Sequence, residues 1–322
     1  MRTARYLVTG GMGFIGSHIA EALLKQGETV RIFDNMATGR ALNVAALQGL
    51  PGHLEIMHGD LRSIDAVTRA VAGVEVVFHQ GALASVPRSI ADPTSSLEIN
   101  INGTHNVLLA ARDNGVRRVV YASSSSVYGD TPTLPKREDM PTAPMSPYAL
   151  QKLTGELLCG IFSRIYELET VALRYFNVFG PRQDPTSEYA AVIPRFLTAL
   201  LEQRRPIVFG DGEQTRDFTY VENVVQANLL AAVAHDAVGA AINIGCGERT
   251  SLNSVLQIAG ALLGIEVEAE YRDPRPGDVR DSLADITRAK RLLGYIPTVS
   301  FSDGLAYTLE ALRAATTSSR SL

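Results

Sequence analysis

The chain has 322 residues and a mass of 34.7 kDa, and 46% of its residues are apolar, so it is long enough to bury a large core in one or two domains. Its 30 basic and 34 acidic residues give a net charge of −4, which provides no electrostatic reason to expect nucleic acid or a membrane as a partner. Two cysteines exclude a disulfide framework and a four-thiolate metal site, and no apolar stretch approaches the roughly 20 residues that span a bilayer. The first strand-like run begins by Tyr6 and leaves no room for a signal peptide, so we expect a cytoplasmic protein without a metal site.

The predicted secondary structure alternates short β-branched runs with longer amphipathic stretches through more than half of the chain. The predicted strands are Tyr6–Thr9, Val30–Asp34, Leu54–His58, Val74–His79, Arg118–Ala122 and Val171–Tyr175. The predicted helices between them are Ile15–Gln26, Ile64–Ala72, Ser95–Asn114 and Pro147–Tyr166. Such alternation predicts an α/β fold with a doubly wound parallel sheet, in which ligands bind beyond the carboxyl ends of the strands.

The regular alternation stops after Gly180, where prolines and a Gly-Asp-Gly turn at 210–212 interrupt the pattern. A helix at Val221–Ala234 and a strand at Ala241–Ile244 follow, before a second irregular stretch around Asp273–Asp278. We therefore predict two interleaved units, a sheet domain made of residues 1–180 and 217–245 and a smaller lobe made of residues 181–216 and 246–322.

The first strand-to-helix junction reads Thr-Gly-Gly-Met-Gly-Phe-Ile-Gly over residues 9–16. Gly10 permits a tight turn, Gly13 lets the backbone approach a pyrophosphate, and Gly16 lets the helix pack closely on the strand. The amino terminus of the helix adds free N–H groups and a partial positive charge. Because a predicted strand precedes the glycines and an amphipathic helix follows them, the pattern favours a dinucleotide site over a purely structural turn.

Asp34 ends the second predicted strand, eighteen residues after Gly16. A carboxylate at this place accepts hydrogen bonds from the adenosine ribose and repels a 2′-phosphate, which favours NAD over NADP. Arg40 follows closely enough to keep NADP as an alternative. Asp60, after the third strand, fits a helix N-cap as well as it fits an adenine contact.

Tyr148 and Lys152 lie in a predicted helix that Ser146 caps and Pro147 begins. Their i,i+4 spacing places the phenol and the ammonium on one helix face. We expect the ammonium to lower the pKa of the phenol, so that the pair carries protons near neutral pH. By itself the spacing also fits an exposed Tyr–Lys face, and the upstream dinucleotide motif favours the proton carrier.

Four consecutive serines, Ser123–Ser126, follow the fifth predicted strand. Serines fit poorly in a core, but they suit hydroxyl donors beside a ligand at the carboxyl end of a strand. An ordinary polar turn is the alternative.

With these motifs the chain resembles the extended short-chain dehydrogenase/reductases, and among them the NAD-dependent sugar-nucleotide epimerase/dehydratase family. The resemblance runs from the glycine motif to the Arg-Pro-Gly-Asp run at 275–278. The segments at 82–89 (Ala-Leu-Ala-Ser-Val-Pro-Arg-Ser) and 173–180 (Leu-Arg-Tyr-Phe-Asn-Val-Phe-Gly) are most similar to UDP-hexose 4-epimerases, above all those acting on UDP-N-acetylglucosamine. The resemblance implies a Rossmann-type NAD-binding domain and a smaller, interleaved C-terminal lobe that binds the UDP-sugar.

The resemblance also implies roles for individual residues. Tyr148 matches the catalytic base, Lys152 its pKa-lowering and ribose-binding partner, and Ser124 the hydroxyl that bonds the sugar oxygen. The implied NAD-binding residues are Gly10, Gly13, Phe14, Ile15, Gly16, Asp34, Asn35, Thr38, Gly39, Asp60, Leu61, Gln80, Gly81, Ala82, Ala84, Tyr148, Lys152 and Tyr175. The implied substrate-binding residues are Ser85, Ser124, Ser125, Asn177, Ala191, Val192, Arg216, Arg275, Asp278 and Ser282. Arginines suit this task because a guanidinium binds phosphate oxygens in pairs and stays charged.

Departures from relatives narrow the implied reaction. Ser125 and Ser126 stand where dehydratases and decarboxylases of the family carry acidic residues, so the chain lacks the acid that water elimination requires. Ser282 stands where bacterial UDP-galactose 4-epimerases carry a bulky tyrosine, and Ala84 where they carry a lysine. A small residue at position 282 leaves space for a 2-N-acetyl group.

The implied activity is reversible inversion at C4 of a UDP-hexose. It would interconvert UDP-GlcNAc with UDP-GalNAc, and UDP-Glc with UDP-Gal. In this reaction bound NAD⁺ accepts and returns hydride at C4 while Tyr148 takes the hydroxyl proton, through a 4-keto sugar. One alternative is a 4-epimerase of UDP-glucuronate or UDP-N-acetylglucosaminuronate, with Arg88 pairing with the carboxylate. A non-catalytic NAD-binding regulator is the alternative from another class.

Many relatives are dimers joined through two helices of each subunit. The predicted helices at Ser95–Asn114 and Pro147–Tyr166 match those helices, and their apolar content permits pairing. We expect a homodimer, although the same faces also fit packing within one subunit.

Overall fold

The structure is a computed structural model that describes residues 4–184, 191–274 and 279–319, with the side chains described as far as residue 315. Its strands in chain order are β1 (Tyr6–Thr9), β2 (Thr29–Asp34), β3 (His53–His58), β4 (Val76–His79), β5 (Arg118–Ser124), β6 (Glu169–Tyr175), β7 (Val178–Phe179), β8 (Ile207–Phe209), β9 (Thr215–Arg216), β10 (Thr219–Tyr220), β11 (Ala241–Ile244), β12 (Thr250–Ser251) and β13 (Glu270–Arg272). Seven of them form a central sheet in the order β11-β6-β5-β4-β1-β2-β3, and every neighbouring pair in it is parallel.

Helices lie on both faces of this sheet and around a further core beside it. They are α1 (Phe14–Lys25), α2 (Ala41–Ala45), α3 (Ile64–Val71), α4 (Val86–Ala91), α5 (Pro93–Leu97), α6 (Gly103–Asp113), α7 (Pro147–Ile165), α8 (Val192–Leu201), α9 (Val221–Ala231), α10 (Leu252–Leu263), α11 (Thr287–Leu293) and α12 (Phe301–Ser319). A π-helical turn at Glu98–Asn102 and 3₁₀ turns at Ser125–Tyr128 and His235–Ala237 complete the list. Serine side chains cap several helices, among them α3, α7 and α10, where Ser63, Ser146 and Ser251 each accept a hydrogen bond from a backbone N–H of the first turn.

The two faces of the sheet bury separate cores. Val8 points into a core shared with α1, α9 and α11, whereas its neighbour Leu7 points into a core shared with α3, α6 and α7. Successive side chains alternate across a strand, so an unbroken apolar strand needs helices on both faces. The predicted α/β fold with a doubly wound parallel sheet is confirmed.

A third core lies among α8, α10 and α12, away from the two faces of the central sheet. Phe179, Phe218 and Phe301 meet there, and the rings of Phe218 and Phe301 stack with centroids 5.4 Å apart. The short strand pairs β7 with β10, β9 with β12 and β8 with β13 surround this core. The division of the chain into residues 1–180 with 217–245 and 181–216 with 246–322 stays a prediction.

The predicted helix at Ser95–Asn114 is one element in the sequence pattern but three in the structure: α5, the π-helical turn and α6. Asn100 lies in the π-helical turn, where its buried side chain bonds both the N–H and the C=O of Leu83 and the side chain of Gln151. A π-helical turn takes up an extra residue and turns a side chain toward a new neighbour. Apolar periodicity does not reveal this change, because the helix axis continues through the turn.

No helix in the described part of the chain is long and apolar enough to cross a membrane.

Candidate active site

The glycine turn between β1 and α1 is built on close backbone contacts. Gly10 has a φ of +65°, and a Cβ placed there would lie 2.8 Å from Cα of Gly81. A Cβ on Gly16 would lie 2.2 Å from the carbonyl oxygen of Gly10. The turn therefore touches the loop after β4, which brings together two of the predicted NAD-binding segments.

The amino terminus of α1 is free to bind an anion. Phe14, Ile15 and Gly16 form the first turn, where backbone N–H groups have no acceptor within the helix. Gly13 precedes them without a side-chain cap, and the first turn carries no acidic residue. A glycine-lined cradle with uncapped N–H groups and no negative charge fits a dinucleotide pyrophosphate.

Asp34 is buried at the end of β2, where its carboxylate accepts hydrogen bonds from the backbone N–H of Met12 at 3.0 Å and of Met36 at 2.7 Å. These bonds fix the carboxylate beside the glycine turn. Gly39 packs against it, because a Cβ on Gly39 would lie 2.9 Å from Oδ1 of Asp34. The exposed Thr38 precedes Gly39, so the predicted ribose-binding residues lie together at this edge of the sheet.

Asp60 does not cap α3, since the N-cap of that helix is Ser63. The Asp60 carboxylate instead accepts a hydrogen bond from Nδ2 of Asn35 at 2.9 Å and pairs with the guanidinium of Arg62. Arg62 holds the pKa of Asp60 well below its usual range. Asp60 therefore stays ionised next to Asn35 and the buried Leu61. The predicted role of Asp60 as a helix N-cap is wrong.

The loop after β4 is held from two sides. Gly81 donates its N–H to Oγ1 of Thr9 at 3.1 Å, and Asn100 binds the backbone of Leu83. Ala82, Ala84 and Ser85 follow along this loop, and Ser85 caps α4 by accepting a hydrogen bond from the N–H of Arg88 at 3.3 Å. Sequence reasoning missed Asn100, because only the π-helical turn aims its side chain at this loop.

Tyr148 and Lys152 lie on the first turns of α7, and the structure brings them to the carboxyl end of β5. The Lys152 ammonium lies 5.9 Å from the ring centroid of Tyr148 and 5.1 Å from that of Tyr121. It donates a hydrogen bond to the carbonyl oxygen of Ala122 at 2.8 Å. As a whole residue Tyr148 is partly exposed, whereas Lys152 is buried.

The pKa of Tyr148 differs from the prediction. The enclosed surroundings of its hydroxyl raise the pKa to about 12, while a hydrogen bond with Ser124 acts in the opposite direction. Burial also lowers the pKa of Lys152 to about 8. The predicted lowering of the Tyr148 pKa by Lys152 is therefore wrong for the protein alone, because desolvation outweighs an ammonium that lies 5.9 Å from the ring centroid.

Ser124 ends β5 and caps the 3₁₀ turn that follows. Its Oγ accepts hydrogen bonds from the backbone N–H of Ser126 at 3.2 Å and from the Ser126 hydroxyl at 2.9 Å. These bonds hold the Ser124 hydroxyl near Tyr148. Of the four serines, Ser124, Ser125 and Ser126 are partly exposed, while Ser123 is buried and bonds elsewhere.

Tyr175 lies opposite Ser124 in the register of β5 and β6, on the side of the sheet that α9 covers. Its hydroxyl interacts with Gln80, whose Nε2 lies at 3.1 Å, and donates to Oδ1 of Asn228 at 3.0 Å. Burial raises the pKa of Tyr175, so its phenol stays neutral. Asn228 is a second residue that the sequence pattern missed, because it lies on a helix without any motif.

A cavity of about 260 Å³ opens beyond the carboxyl end of β6. Four predicted substrate-binding residues line it: Asn177, Ala191, Val192 and Arg216. Its walls also include Arg195, Phe209, Gln214 and Phe218, none of which the sequence analysis identified. Arg195 follows Ala191 by four residues on the first turn of α8, a spacing that could have indicated it. Two arginines beside aromatic walls fit a nucleotide diphosphate.

Ser282 lies next to this cavity, since Nδ2 of Asn177 donates to its Oγ at 3.0 Å. Asn177 also donates to the carbonyl oxygen of Asp217 at 3.4 Å. The Asp217 carboxylate accepts three backbone N–H groups, and burial raises its pKa to about 6. Through Asn177, Ser282 is linked to the cavity that four of the predicted substrate-binding residues line. The predicted substrate-binding residues Arg275 and Asp278 lie outside the described residues.

The two arginines named in the alternative predictions are both exposed. Arg40 is exposed, and its guanidinium lies 4.0 Å from the carboxylate of Asp184. Arg88 is exposed on α4. Among the described residues, no group of three or more histidine, cysteine, aspartate or glutamate side chains could hold a metal ion.

Comparison with known proteins identifies the family. The model of the NAD dependent epimerase/dehydratase family matches residues 6–245. This chain belongs to that family. The UDP-glucose 4-epimerase of Mycolicibacterium smegmatis is 40% identical over 312 residues, which cover 96% of this chain and 98% of the relative.

Two solved structures share the whole fold. A UDP-N-acetylglucosamine 4-epimerase from Methanobrevibacter ruminantium, in complex with UDP-N-acetylmuramic acid, has a TM-score of 0.91 and 39% identity, covering 98% of this chain and 100% of the other. A UDP-glucuronic acid 4-epimerase from Bacillus cereus, in complex with UDP-4-deoxy-4-fluoro-glucuronic acid and NAD, has a TM-score of 0.89 and 32% identity, covering 96% of this chain and 99% of the other. The family, the NAD cofactor and the isomerase class predicted from the sequence are confirmed.

Proposed function

We propose that the protein is an NAD-dependent 4-epimerase of UDP-hexoses that accepts UDP-N-acetylglucosamine and UDP-N-acetylgalactosamine together with the plain hexoses. The observation that carries the proposal is the position of Tyr148, Lys152 and Ser124. They lie at the carboxyl end of β5, in the sheet whose β1 end carries the glycine turn, while β6 leads to the cavity beside Arg216. A proton carrier between a dinucleotide cradle and a diphosphate pocket fits redox chemistry on a bound nucleotide sugar.

The residues of this chain would hold the two ligands in distinct ways. The glycine turn and Asp34 bind the pyrophosphate and a ribose of the dinucleotide, and Lys152 has the position to bind the second ribose. Arg195 and Arg216 hold the UDP diphosphate. When bound, NAD supplies an acceptor and donor of hydride, and its cationic ring favours the phenolate of Tyr148.

Tyr148 moves the proton of the sugar 4-hydroxyl. Its phenolic oxygen takes that proton as the sugar is oxidised and returns it when the sugar is reduced. Ser124 hydrogen-bonds Tyr148 and lowers its pKa, and the Lys152 ammonium lies 5.9 Å from the ring centroid of Tyr148. Anchoring through UDP keeps the keto sugar in the site while the hexose ring turns to present its other face.

The polar groups near Ser124 argue against elimination. Water loss requires an acid near the sugar, but Ser125 and Ser126 occupy the adjacent positions. The nearby carboxylate of Glu156 accepts hydrogen bonds from Ser123 and Arg174 in a buried ion pair. Both of its oxygens are therefore engaged in this ion pair.

Three side chains bear on the choice between a neutral sugar and a uronate. Arg182, at the end of the β7 segment, pairs with Glu21 and donates to Ser17 at 3.4 Å, so its charge is engaged on α1. Arg88, the cation named for the uronate alternative, is exposed on α4. Ser282 provides the small side chain that an N-acetyl group requires.

Product analysis by NMR tests the proposal. The purified protein, without added NAD⁺, is incubated with UDP-glucose, UDP-N-acetylglucosamine and the two corresponding uronates. We expect the neutral sugars to reach a mixture of C4 epimers without net NADH. Conversion of the uronates alone would assign the uronate activity, and stoichiometric NADH would indicate a dehydrogenase. A Tyr148→Phe variant that turns over as fast as the parent would favour a non-catalytic regulator.

We also propose that the protein is a homodimer joined through α7 and the segment around α6. The outer face of α7 exposes Leu150, Leu157, Ile161 and Ile165, with Leu157 61% and Ile165 67% exposed. Leu97 adds a further apolar side chain that is 45% exposed. A contiguous apolar stripe of this length is typical of a subunit interface, and pairing with a second copy around a two-fold axis would bury it.

A further inference from the structure

A buried polar cluster lies directly behind the candidate active site. It consists of Glu156, Arg174, Ser123, Tyr128 and Asn243. Nε and Nη2 of Arg174 donate to the two carboxylate oxygens of Glu156 at 2.9 and 2.7 Å, and the Ser123 hydroxyl donates to the same carboxylate. Nη1 of Arg174 donates to the Tyr128 hydroxyl at 2.8 Å, which in turn donates to Oδ1 of Asn243 at 2.7 Å.

Each main member of the cluster adjoins a residue of the site. In the register of β5 and β6, Ser123 lies opposite Arg174 and Ser124 lies opposite Tyr175. Ser123 and Arg174 of the cluster therefore each precede a site residue, Ser124 or Tyr175, by one position on the same strand. On α7, Glu156 follows Lys152 by four residues, so the two side chains lie on the same helix face.

The proposed reaction gives Glu156 and Arg174 no direct role. Both are buried, with 9% and 5% of their surface exposed. Burying a charged pair costs desolvation energy, and well-packed apolar residues often replace such a pair without loss of stability. A contribution to stability alone therefore explains the pair poorly. The two parallel hydrogen bonds of a guanidinium–carboxylate contact instead fix the relative orientation of the two elements that carry the side chains.

We propose that Glu156 and Arg174 are positioning residues, which fix Lys152, Ser124 and Tyr175 relative to one another through a single ion pair between α7 and β6. The proposal rests on the proposed function, since these three residues are the ones that would meet the cofactor and the sugar. Ser123 extends the link to β5, and Tyr128 and Asn243 extend it to β11.

The cluster acts on Lys152 in two ways. It locks α7 against β5 and β6 one turn after Lys152, which fixes the direction of the Nζ–Ala122 hydrogen bond. The negative charge of Glu156 also favours the ammonium form of Lys152, against the burial that lowers its pKa to about 8. Displacement of a reacting group by about 1 Å can cost on the order of a hundredfold in rate, so a small shift of α7 is enough to affect turnover.

The test compares Arg174→Lys and the double variant Glu156→Met/Arg174→Met with the parent. Arg174→Lys keeps the buried charge but loses the two-bond contact, and the double variant replaces the pair by apolar side chains. Arg31→Lys is the matched control, because Arg31 forms an ion pair with Glu55 at 2.8 Å on β2, away from the site. The measurements are kcat and KM for UDP-N-acetylglucosamine, the melting temperature, and the fraction of purified protein that retains NAD.

We expect Arg174→Lys to lower kcat between about tenfold and a hundredfold, to change KM less than threefold, and to lower the retained fraction of NAD. We expect the double variant to melt near the parent temperature and still to show the low kcat. The Arg31→Lys control should match the parent in all measurements.

Parent-like kcat in Arg174→Lys, or in a double variant that melts like the parent, would overturn the positioning role. If the double variant does not fold, Arg174→Lys decides the question. If the parent converts no UDP-sugar, the proposed function fails. The positioning role is then tested by NAD binding alone. If Arg174→Lys retains the same fraction of NAD as the parent, the positioning role is overturned.

Discussion

Lys152 on α7 donates a hydrogen bond from its ammonium to the carbonyl oxygen of Ala122 on β5 at 2.8 Å. The bond uses one of three N–H groups and orients the other two. A buried ammonium is thus held in a fixed position next to the phenol of Tyr148, with its pKa lowered to about 8.

Removal of this ammonium should nearly abolish turnover. We expect Lys152→Met to lower kcat by at least about a hundredfold, because the phenolate loses its cationic neighbour, and to lower the retained fraction of NAD. Lys25→Met is the control, since Lys25 is exposed on α1, where it pairs with Glu21. The parent should also lose activity above about pH 8, as Lys152 gives up its proton. Parent-like turnover in Lys152→Met would refute this role.

Ser124 should control the acidic side of the pH profile. Its hydrogen bond lowers the pKa of Tyr148 against the burial that raises it, so Ser124→Ala should raise that pKa further. Fewer phenols are then ionised at neutral pH, and kcat at pH 7 should fall about tenfold for each unit of the change. The acidic limb of the kcat profile should move to higher pH. An unmoved limb would contradict the assignment, and Ser163→Ala on α7 serves as the control.

Ser282 should decide whether an acetylated sugar is accepted. We expect Ser282→Tyr to lower kcat/KM for UDP-N-acetylglucosamine by about a hundredfold, as a bulky ring fills the space beside Asn177. Turnover of UDP-glucose should change less than fivefold. The Ser282→Thr control adds a single methyl group and should keep both activities. Equal losses on both substrates in Ser282→Tyr would show that the site collapses rather than discriminates.

His79 should make the protein less stable in acid. The ring is buried between hydroxyl groups of Thr9 and Thr104, and burial lowers its pKa to about 3 from an ordinary value of 6.5. Between these values the unfolded chain binds more protons, so the free energy of unfolding falls as the pH falls. From pH 6.5 to 5 the loss from His79 is about 2 kcal/mol.

Urea unfolding at pH 6.5 and pH 5 measures this loss in the parent and in His79→Gln. Burial lowers the pKa of His18 to about 4 and raises that of Asp217 to about 6, but both groups are present in the two proteins and cancel in the comparison. We expect the variant to lose about 2 kcal/mol less than the parent over this pH interval. Equal losses would mean that the folded state does not lower the pKa of His79, which would contradict the prediction.

The apolar stripe on α7 should set the oligomeric state. We expect Leu157→Glu to yield monomers, because a carboxylate would be buried in the subunit interface. Leu42→Glu is the control, since Leu42 on α2 is 71% exposed and lies on a different surface. Light scattering after size-exclusion chromatography measures the mass. A monomeric parent, or a dimeric Leu157→Glu variant, would contradict the proposal.

The sequence by itself determined the fold class and the glycine turn after the first strand, because both depend on local patterns. Strand and helix alternation specifies a parallel sheet, and the spacing of Gly10, Gly13 and Gly16 reflects backbone contacts within one turn. The pairing of Tyr148 with Lys152 is likewise a matter of helical spacing. Residues that lie within about twenty positions of each other are placed by local secondary structure, so their relative geometry can be predicted from their spacing.

Only the tertiary structure decided how distant residues meet. Asn100 reaches Leu83 through a π-helical turn, Arg195 joins Arg216 at the cavity, and Glu156 pairs with Arg174 across two elements. It also reversed the expected shift in the pKa of Tyr148, because the desolvation of a hydroxyl depends on every neighbour that surrounds it. Such contacts join positions far apart in the chain, and only the packing of the helices against the sheet determines which of them form.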